Sequence, residues 1–360
     1  MGRLFGTDGV RGIAGTELTA ALAADLGRAA VAVLGRHAPG SPTIVVGRDP
    51  RASGVWLQEA LVGGIRGAGG DVLLAGVEPT PAIAFMTVDL GASAGAVISA
   101  SHNPATDNGI KFFSGDGRKL PDAVEDEIEA ALGAPATGGA TPGAERPTGN
   151  ARDRYVDHLV AAALAPLAGM RVVVDCANGS ASELAPAVLR RLGAEVTAIN
   201  ASPDGDNIND GCGALHPEVV AAEVARLGAD AGVSHDGDAD RALFASADGT
   251  VIDGDQVLAA CAVGLHDAGE LAHDTVVATV MSNIGFEQAM TEHGIAVRRT
   301  RVGDRYVFEE MDRGGFVLGG EQSGHVIFGR LATTGDGLLT AVRFLSLAAA
   351  SGAGVGELAG

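Results

Sequence analysis

The sequence predicts an α/β protein of three tandem, similar domains with mixed, mainly parallel sheets. Three observations carry that expectation. A β-branched run, a polar loop, a helical pattern ending near glycine and a second apolar run occur together three times along the chain. Apolar residues make up 46% of the sequence but aromatic residues only 4%, with 54 glycines, so the cores must be built mainly from Ala, Val, Leu and Ile. The chain is 360 residues long, and a length of that order suits roughly two to three domains.

The first repeat opens at TIVVGRDPRASG (43–54) and returns at DVLLAG (71–76). The second opens at RVVVDCANGSAS (171–182) and returns at AEVTAIN (194–200); the third runs from TVVATVMSNIG (275–285) to IAVRRT (295–300). Such strand–helix–strand returns are right-handed and give parallel pairs. In the first repeat, AGAVISASHNPATDNGIKFF (94–113) reads as a strand at Ala96–Ile98, a polar turn from Ser99 to Asn108, and a strand from Gly109 to Phe113. Strand alternation sets Lys111 on the face opposite Ile110 and Phe112. GAPATGGATPGAERPTGN (133–150) reads as a linker, and Asp153 to Leu164 as a helix stopped near Pro166. Asp248-Gly249 reads as a hairpin turn just before a boundary near Asp253. The expected domains are therefore 1–150, 151–252 and 253–360.

A formal net charge of −20 argues against nucleic-acid binding through a basic field. It also means that an anionic ligand needs local positive charge at its site. The three cysteines, Cys176, Cys212 and Cys261, form neither a disulfide framework nor a zinc pattern. MGRLFGTDG lacks an apolar signal core and no stretch resembles a membrane span, so a cytoplasmic protein with no membrane partner is expected. Of 25 basic residues only two are lysines, Lys111 and Lys119. An amine, unlike a guanidinium, can be tuned to give up a proton, which makes Lys111 a candidate for proton transfer.

DGDADR (236–241) places Asp236, Asp238 and Asp240 at alternate positions, closed by Arg241. Carboxylates at that density call for a hard divalent cation, and such a cation with open positions clamps phosphate. An EF-hand loop starting at Asp236 would need Gly at its sixth position and an acid at its twelfth, where Arg241 and Ala247 stand. A phosphatase using a D-x-D nucleophile is a nearer rival, but its usual Thr or Val is replaced here by a third aspartate. Ser101 sits at a loop apex beside His102; a turn serine beside a turn histidine is the plainer alternative. GGEQSGH (319–325) offers Glu321 and Ser323 to sugar hydroxyls and His325 to a proton or a phosphate. FGTDGVRG (5–12) adds Arg11, VGDRY (302–306) adds Arg305, and GRDPRASG (47–54) sets Arg48, Arg51 and Ser53 at a helix start suited to an anion.

Taken together, FGTDGVRG, ISASHNP with DNGIKFF, DGDADR and GGEQSGH resemble, in order and over essentially the whole chain, the motifs of the α-D-phosphohexomutase superfamily. Within it, Glu-Gln-Ser-Gly at 321–324 looks like the phosphoglucosamine mutase branch; phosphomannomutase/phosphoglucomutase relatives carry Glu-Met-Ser-Gly there. The resemblance implies that Ser101 carries the transferable phosphate. It implies that Asp236, Asp238 and Asp240 hold one Mg²⁺ together with phosphorylated Ser101, and that Arg241 lies beside the phosphoserine. Glu321, Ser323, Arg11 and Arg305 would bind substrate, and Lys111, His102 and His325 are the proton-transfer candidates. The implied reaction interconverts glucosamine 6-phosphate and glucosamine 1-phosphate through a hexose 1,6-bisphosphate, on the way to amino-sugar nucleotides and cell-wall precursors. A mannose or glucose phosphate mutase, and an inactive metal- and phosphate-binding module, are the alternatives. The family's fourth domain has no match before GVGELAG (354–360), which implies weak or no turnover by this chain alone. A phosphosugar is the expected ligand and a homodimer the expected assembly.

Overall fold

The computed structural model describes residues 3–6, 8–36, 41–134 and 141–360. Thr7 of FGTDGVRG and residues 135–140 of the expected linker lie outside the described residues. The chain divides into two compact units, residues 1–155 with 203–208, and residues 156–202 with 209–360.

The first unit contains β1 (Val10–Ile13), α1 (Ala20–Leu34), β2 (Thr43–Arg48), α2 (Ala52–Gly67), β3 (Asp71–Val77), α3 (Thr80–Asp89), β4 (Ala94–Ile98), β5 (Asp107–Ser114), α4 (Asp122–Ala130) and β6 (Glu145–Pro147). Its sheet has the order β1-β5-β4-β2-β3-β6. Thr19 caps α1 by accepting from Leu22 N, and Ala23, Leu26, Ala30 and Val33 form the buried stripe expected of an amphipathic helix. That stripe joins Leu57, Leu61 and Ile65 of α2 and Ile44, Val46, Ala96 and Ile98 of the sheet in one core. The expected linker is partly a strand: Glu145, Arg146 and Pro147 pair in parallel with Val72, Leu73 and Leu74. Pro147 is tolerated because β6 is an edge strand.

A helix, α5 (Ala151–Ala161), leads into the second unit. It stops short of the predicted Leu164 because another helix captures its end. Arg343 Nη1 donates to Ala162 O at 3.1 Å, and Leu164 N donates to Ser346 Oγ at 3.0 Å. Next come β7 (Arg171–Asp175), α6 (Ala181–Arg191), β8 (Glu195–Ile199), α7 (Pro217–Leu227), β9 (Ala231–His235), β10 (Ala242–Ser246) and β11 (Val251–Ile252), in the sheet order β11-β10-β9-β7-β8. The predicted hairpin turn at Asp248-Gly249 joins β10 to β11, with Gly249 N donating to Ser246 O. The third sheet follows: α8 (Gly254–Asp267), β12 (Thr275–Thr279), α9 (Ile284–Glu292), β13 (Ala296–Thr300), α10 (Asp304–Gly314), β14 (Leu318–Gly320), β15 (Val326–Phe328), α11 (Gly337–Ser351) and α12 (Val355–Leu358), with the order β13-β12-β14-β15. A capping box between Asp253 and Gln256 starts α8 where the sequence placed a boundary.

The three sheets share one scheme. In each, a first strand is flanked by a second and a third, all parallel: β4-β2-β3, β9-β7-β8 and β14-β12-β13. The third strand then turns back into an antiparallel partner, β5, β10 or β15. The turn after the third strand is Ser99–Thr106 in the first sheet, Asp236–Arg241 in the second and Glu321–His325 in the third. The three chemistry-bearing motifs thus occupy the same loop of three similar sheets. Among the described residues no helix is long and apolar enough to cross a membrane.

Candidate functional site

In the first unit, Ser101 is buried, and its backbone is left-handed at φ 51°. A non-glycine residue in that region stores strain unless its surroundings hold it. Here the surroundings do. Ser101 N donates to Ser99 Oγ at 2.9 Å, and Ser99 Oγ donates to Asp49 Oδ2 at 2.6 Å. Arg51 enters from below. Its Nε donates to Asp49 Oδ2 at 2.8 Å, and its two amine groups donate to the carbonyls of Ser101, Asn103, Pro104 and Asp107. The side chains of Arg51 and Asp49 are both 0% exposed. The expected anion contact at Arg51 is therefore corrected: its guanidinium is spent on four loop carbonyls and one carboxylate. Burial pushes the Asp49 carboxyl up, and Arg51 and Ser99 oppose that shift. His102 Nδ1 lies 3.4 Å from Ser101 Oγ, at the outer edge of hydrogen-bond reach.

Lys111, on β5, is buried to 2% exposure and pairs with Asp8 Oδ2 at 2.8 Å. Lys119 and Arg11 pair with the same carboxylate. Arg11 also reaches Ala100 O, the residue before Ser101, at 3.5 Å. Burial would push the Asp8 carboxyl up, but Lys111, Lys119 and Arg11 hold it well below the usual carboxylate range. Asp8 thus gathers three cations, one of which reaches the serine loop, and cations of this kind are the local charge that a phosphate requires in so acidic a chain.

In the second unit, the carboxylate oxygens of Asp236, Asp238 and Asp240 converge to within 4.8 Å of one another, all three residues buried. At that spacing each pair of ionised groups repels by about 3 kcal/mol for an effective dielectric near 20. Arg241 offers one partial counter-charge, its Nε 4.0 Å from Asp236 and 3.7 Å from Asp240. Hard oxygen donors with excess negative charge fit Mg²⁺. The loop is closed from behind. His235 Nδ1 donates to Arg241 O at 2.9 Å, and burial drives its pKa down to about 4, so the ring is neutral. Ala239, at the tip, is buried and left-handed at φ 55°. Gly337, the first residue of α11, donates its N–H to Ala239 O; a Cβ there would stand 2.2 Å from Arg241 O. Only glycine lets the helix start approach the three-aspartate loop so closely.

The third loop lies against the second within this unit. Ala242 N donates to Gly324 O at 3.1 Å, and His325 Nδ1 is 3.7 Å from Asp240 Oδ2. Gly335 N donates to His325 Nε2, which leaves Nδ1 as the protonated nitrogen of the neutral ring. Burial pulls the His325 pKa down, but Asp240, Asp304 and Glu321 raise it to about 8. Glu321 Oε1 accepts from Gly303 N at 2.9 Å, tying the sugar-type loop to VGDRY. Ser323 Oγ is buried, with no hydrogen-bond partner among the described residues. Arg305 is engaged with Glu309 on its own helix, at 3.4 Å.

The predicted residues thus gather in two groups: Ser101, His102, Lys111 and Arg11 in the first unit, and Asp236, Asp238, Asp240, Arg241, Glu321, Ser323 and His325 in the second. Sequence reading missed Asp8, Asp49, His235 and Asp304. Asp8 stood inside a quoted motif, and the rarity of lysine pointed toward it, but only the strand register brings Lys111 and Lys119 to it.

Residues 2–137 match the family model described as phosphoglucomutase/phosphomannomutase, alpha/beta/alpha domain I; residues 153–249 match domain II and residues 253–360 domain III. A curated relative from Symbiobacterium thermophilum, named phosphoglucosamine mutase, is 56% identical over 366 residues, covering 100% of this chain and 82% of its own. A protein of the same name from Acidothermus cellulolyticus is 56% identical over 362 residues, covering 99% of this chain and 78% of its own. Among solved structures, a phosphoglucomutase/phosphomannomutase family protein from Burkholderia thailandensis matches with a TM-score of 0.86 at 28% identity, over 99% of this chain and 79% of that one.

Proposed function

The chain belongs to the phosphoglucomutase/phosphomannomutase family, and on that premise we propose that it is a phosphosugar mutase interconverting glucosamine 6-phosphate and glucosamine 1-phosphate. In this reading Ser101 carries the phosphate, gives it to the free hydroxyl to make a 1,6-bisphosphate, and takes back the other phosphate. A covalent carrier divides one difficult transfer into two in-line steps. The observation that carries the reading is the placement of a buried, strained serine and a buried three-carboxylate cluster on the equivalent loop of two similar sheets. The choice of sugar rests on Glu321-Gln322-Ser323-Gly324 and on relatives named phosphoglucosamine mutase.

Asp236, Asp238 and Asp240 would hold Mg²⁺, which when bound neutralises charge on a transferring phosphoryl group. Lys111 and Arg11 supply fixed positive charge beside the Ser101 loop, and His102 is the near neighbour of the nucleophilic oxygen. Glu321 and Ser323 would meet sugar hydroxyls; the partnerless buried Ser323 Oγ is suited to one. His325 bears a ring proton on Nδ1, 3.7 Å from Asp240, which it would lend to a phosphate or a leaving oxygen.

The test is labelling and turnover together. Incubation with ³²P-glucose 1,6-bisphosphate and Mg²⁺ should place label on Ser101, and Ser101→Ala should abolish it. Lys111→Ala should fold normally and slow transfer by roughly 10²-fold or more. Label retained elsewhere after Ser101→Ala refutes the carrier. Phosphorus NMR on glucosamine, mannose and glucose phosphates side by side tests the sugar, and conversion of mannose phosphate alone refutes the amino-sugar assignment. Light scattering and cell fractionation test the homodimer and the cytoplasmic setting expected from the sequence.

A further inference from the structure

The chain contains two lysines, and both end on the same carboxylate. Asp8 receives Lys111 and Arg11 on Oδ2 and Lys119 on Oδ1. The contact is built into the backbone. Gly6 N donates to Gly9 O at 2.9 Å, closing a tight turn around Asp8. Gly9 has φ +79°, and a Cβ there would stand 2.4 Å from Ile110 O, so the turn is pressed against β5 immediately beside Lys111. The antiparallel register Val10↔Ile110 and Arg11↔Gly109 fixes this alignment.

We propose that Asp8 is a positioning residue for phosphoryl transfer at Ser101, holding the Lys111 ammonium and the Arg11 guanidinium charged and oriented toward the serine loop. The inference rests on the mutase reading of Ser101. Three features separate it from an ordinary structural ion pair. An ammonium at 2% exposure stays charged only beside a counter-charge, which Asp8 Oδ2 supplies at 2.8 Å. Asp8 gathers three cations where an ordinary structural pair would hold one. Arg11 spans from Asp8 to Ala100 O, linking the cluster to the residue before the nucleophile.

The experiment compares wild type, Asp8→Asn, Lys111→Ala and the double variant in labelling by ³²P-glucose 1,6-bisphosphate. Asp8→Asn should slow labelling about tenfold or more, with the half-saturating bisphosphate concentration changed less than about threefold. In the Lys111→Ala background the same substitution should cost clearly less than it does in the wild type, because only the share of Asp8 that acts through Arg11 remains. A full, multiplicative loss in the double variant overturns the proposal. A second measurement uses the wild-type protein alone, and the presence of only two lysines makes it clean. Acetylation of Lys111 and Lys119, followed by mass spectrometry at pH 8, should run at least about tenfold slower than that of a lysine tripeptide, because both amines are tied to Asp8. Equal rates overturn the proposal even if Asp8→Asn fails to fold. Absence of label on wild-type Ser101, with the lysines still protected, removes the mutase reading and leaves the grip of Asp8 standing.

Discussion

Arg51→Lys keeps the positive charge beneath the serine loop and removes its geometry. Arginine here makes one bond to Asp49 and donates to four carbonyls, those of Ser101, Asn103, Pro104 and Asp107. A lysine ammonium has three donors on one atom and cannot reach a ring of acceptors that surrounds a planar fork. With one donor kept on Asp49, at least two carbonyls lose their partner at about 1–3 kcal/mol each. The expected destabilisation is about 2–6 kcal/mol. Arg51→Met goes further by leaving Asp49 buried without its counter-ion, a change that costs about 3–5 kcal/mol before the carbonyls are added. Urea unfolding followed by circular dichroism reads the stability change. The loop is the reason to measure activity as well: Ser101 is held at a strained φ partly through its own carbonyl, so Arg51→Lys should also slow Ser101 labelling by about tenfold. An Arg51→Lys variant within about 0.5 kcal/mol of wild type and labelling at the wild-type rate would refute the reasoning.

Mg²⁺ should raise thermal stability, by about 2.7 kcal/mol at a hundredfold excess over its dissociation constant, and Asp238→Asn should lose that rise. The same variant in chelator should be at least as stable as wild type, because one of three mutually repelling carboxylates is gone; an intact Mg²⁺ response in Asp238→Asn sinks the assignment. Burial pushes the thiols of Cys176, Cys212 and Cys261 up to about 12, and Asp175 adds to the shift of the first two. They should resist a thiol reagent in the native protein at pH 8. Their contribution to stability should be whole below the unfolded thiol pKa and decline as pH rises from there toward 12; rapid native-state labelling of all three contradicts this. The depressed Asp8 carboxyl works in the opposite sense. Its contribution should be present above about pH 4 and lost as pH falls through its native value, so Asp8→Asn should flatten acid denaturation measured below pH 4.

Much of the fold was legible because periodicity is local. The openings TIVVGRD, RVVVDCA and TVVAT became β2, β7 and β12, and their returns became β3, β8 and β13. The linker was misread at Glu145–Pro147, where a composition rich in Pro and Gly still supplied three residues to the sheet edge. The functional loops were legible because their chemistry is dense in sequence: three aspartates in DGDADR, and serine beside histidine in SASHNP. What sequence could not show is reach. Arg51 looked like an anion ligand because it sits at a helix start; its side chain instead turns inward to residues fifty or more positions away. Asp8 drew no reading inside FGTDGVRG, where only Arg11 stood out. Both outcomes follow from register and burial, which no local window contains.

The shared loop position carries a physical consequence of its own. A loop between two antiparallel strands is anchored at both ends by ladder hydrogen bonds, so a side chain on it is placed more rigidly than one on a strand–helix connection. Each of the three loops adds a further brace from outside its own hairpin: Arg51 under Ser101–Asp107, Gly337 of α11 on Ala239, and Gly303 on Glu321. Two of them hold a non-glycine residue left-handed, at φ 51° and 55°. Strain of that kind persists only where the surroundings over-determine it. Glycine at 101 would relax the backbone but delete the hydroxyl. Position 239 has no such excuse; it is buried, and its carbonyl accepts the first N–H of α11. The braces, rather than the catalytic letters alone, are what make these loops able to hold serine, carboxylates and hydroxyl-binding groups in fixed places.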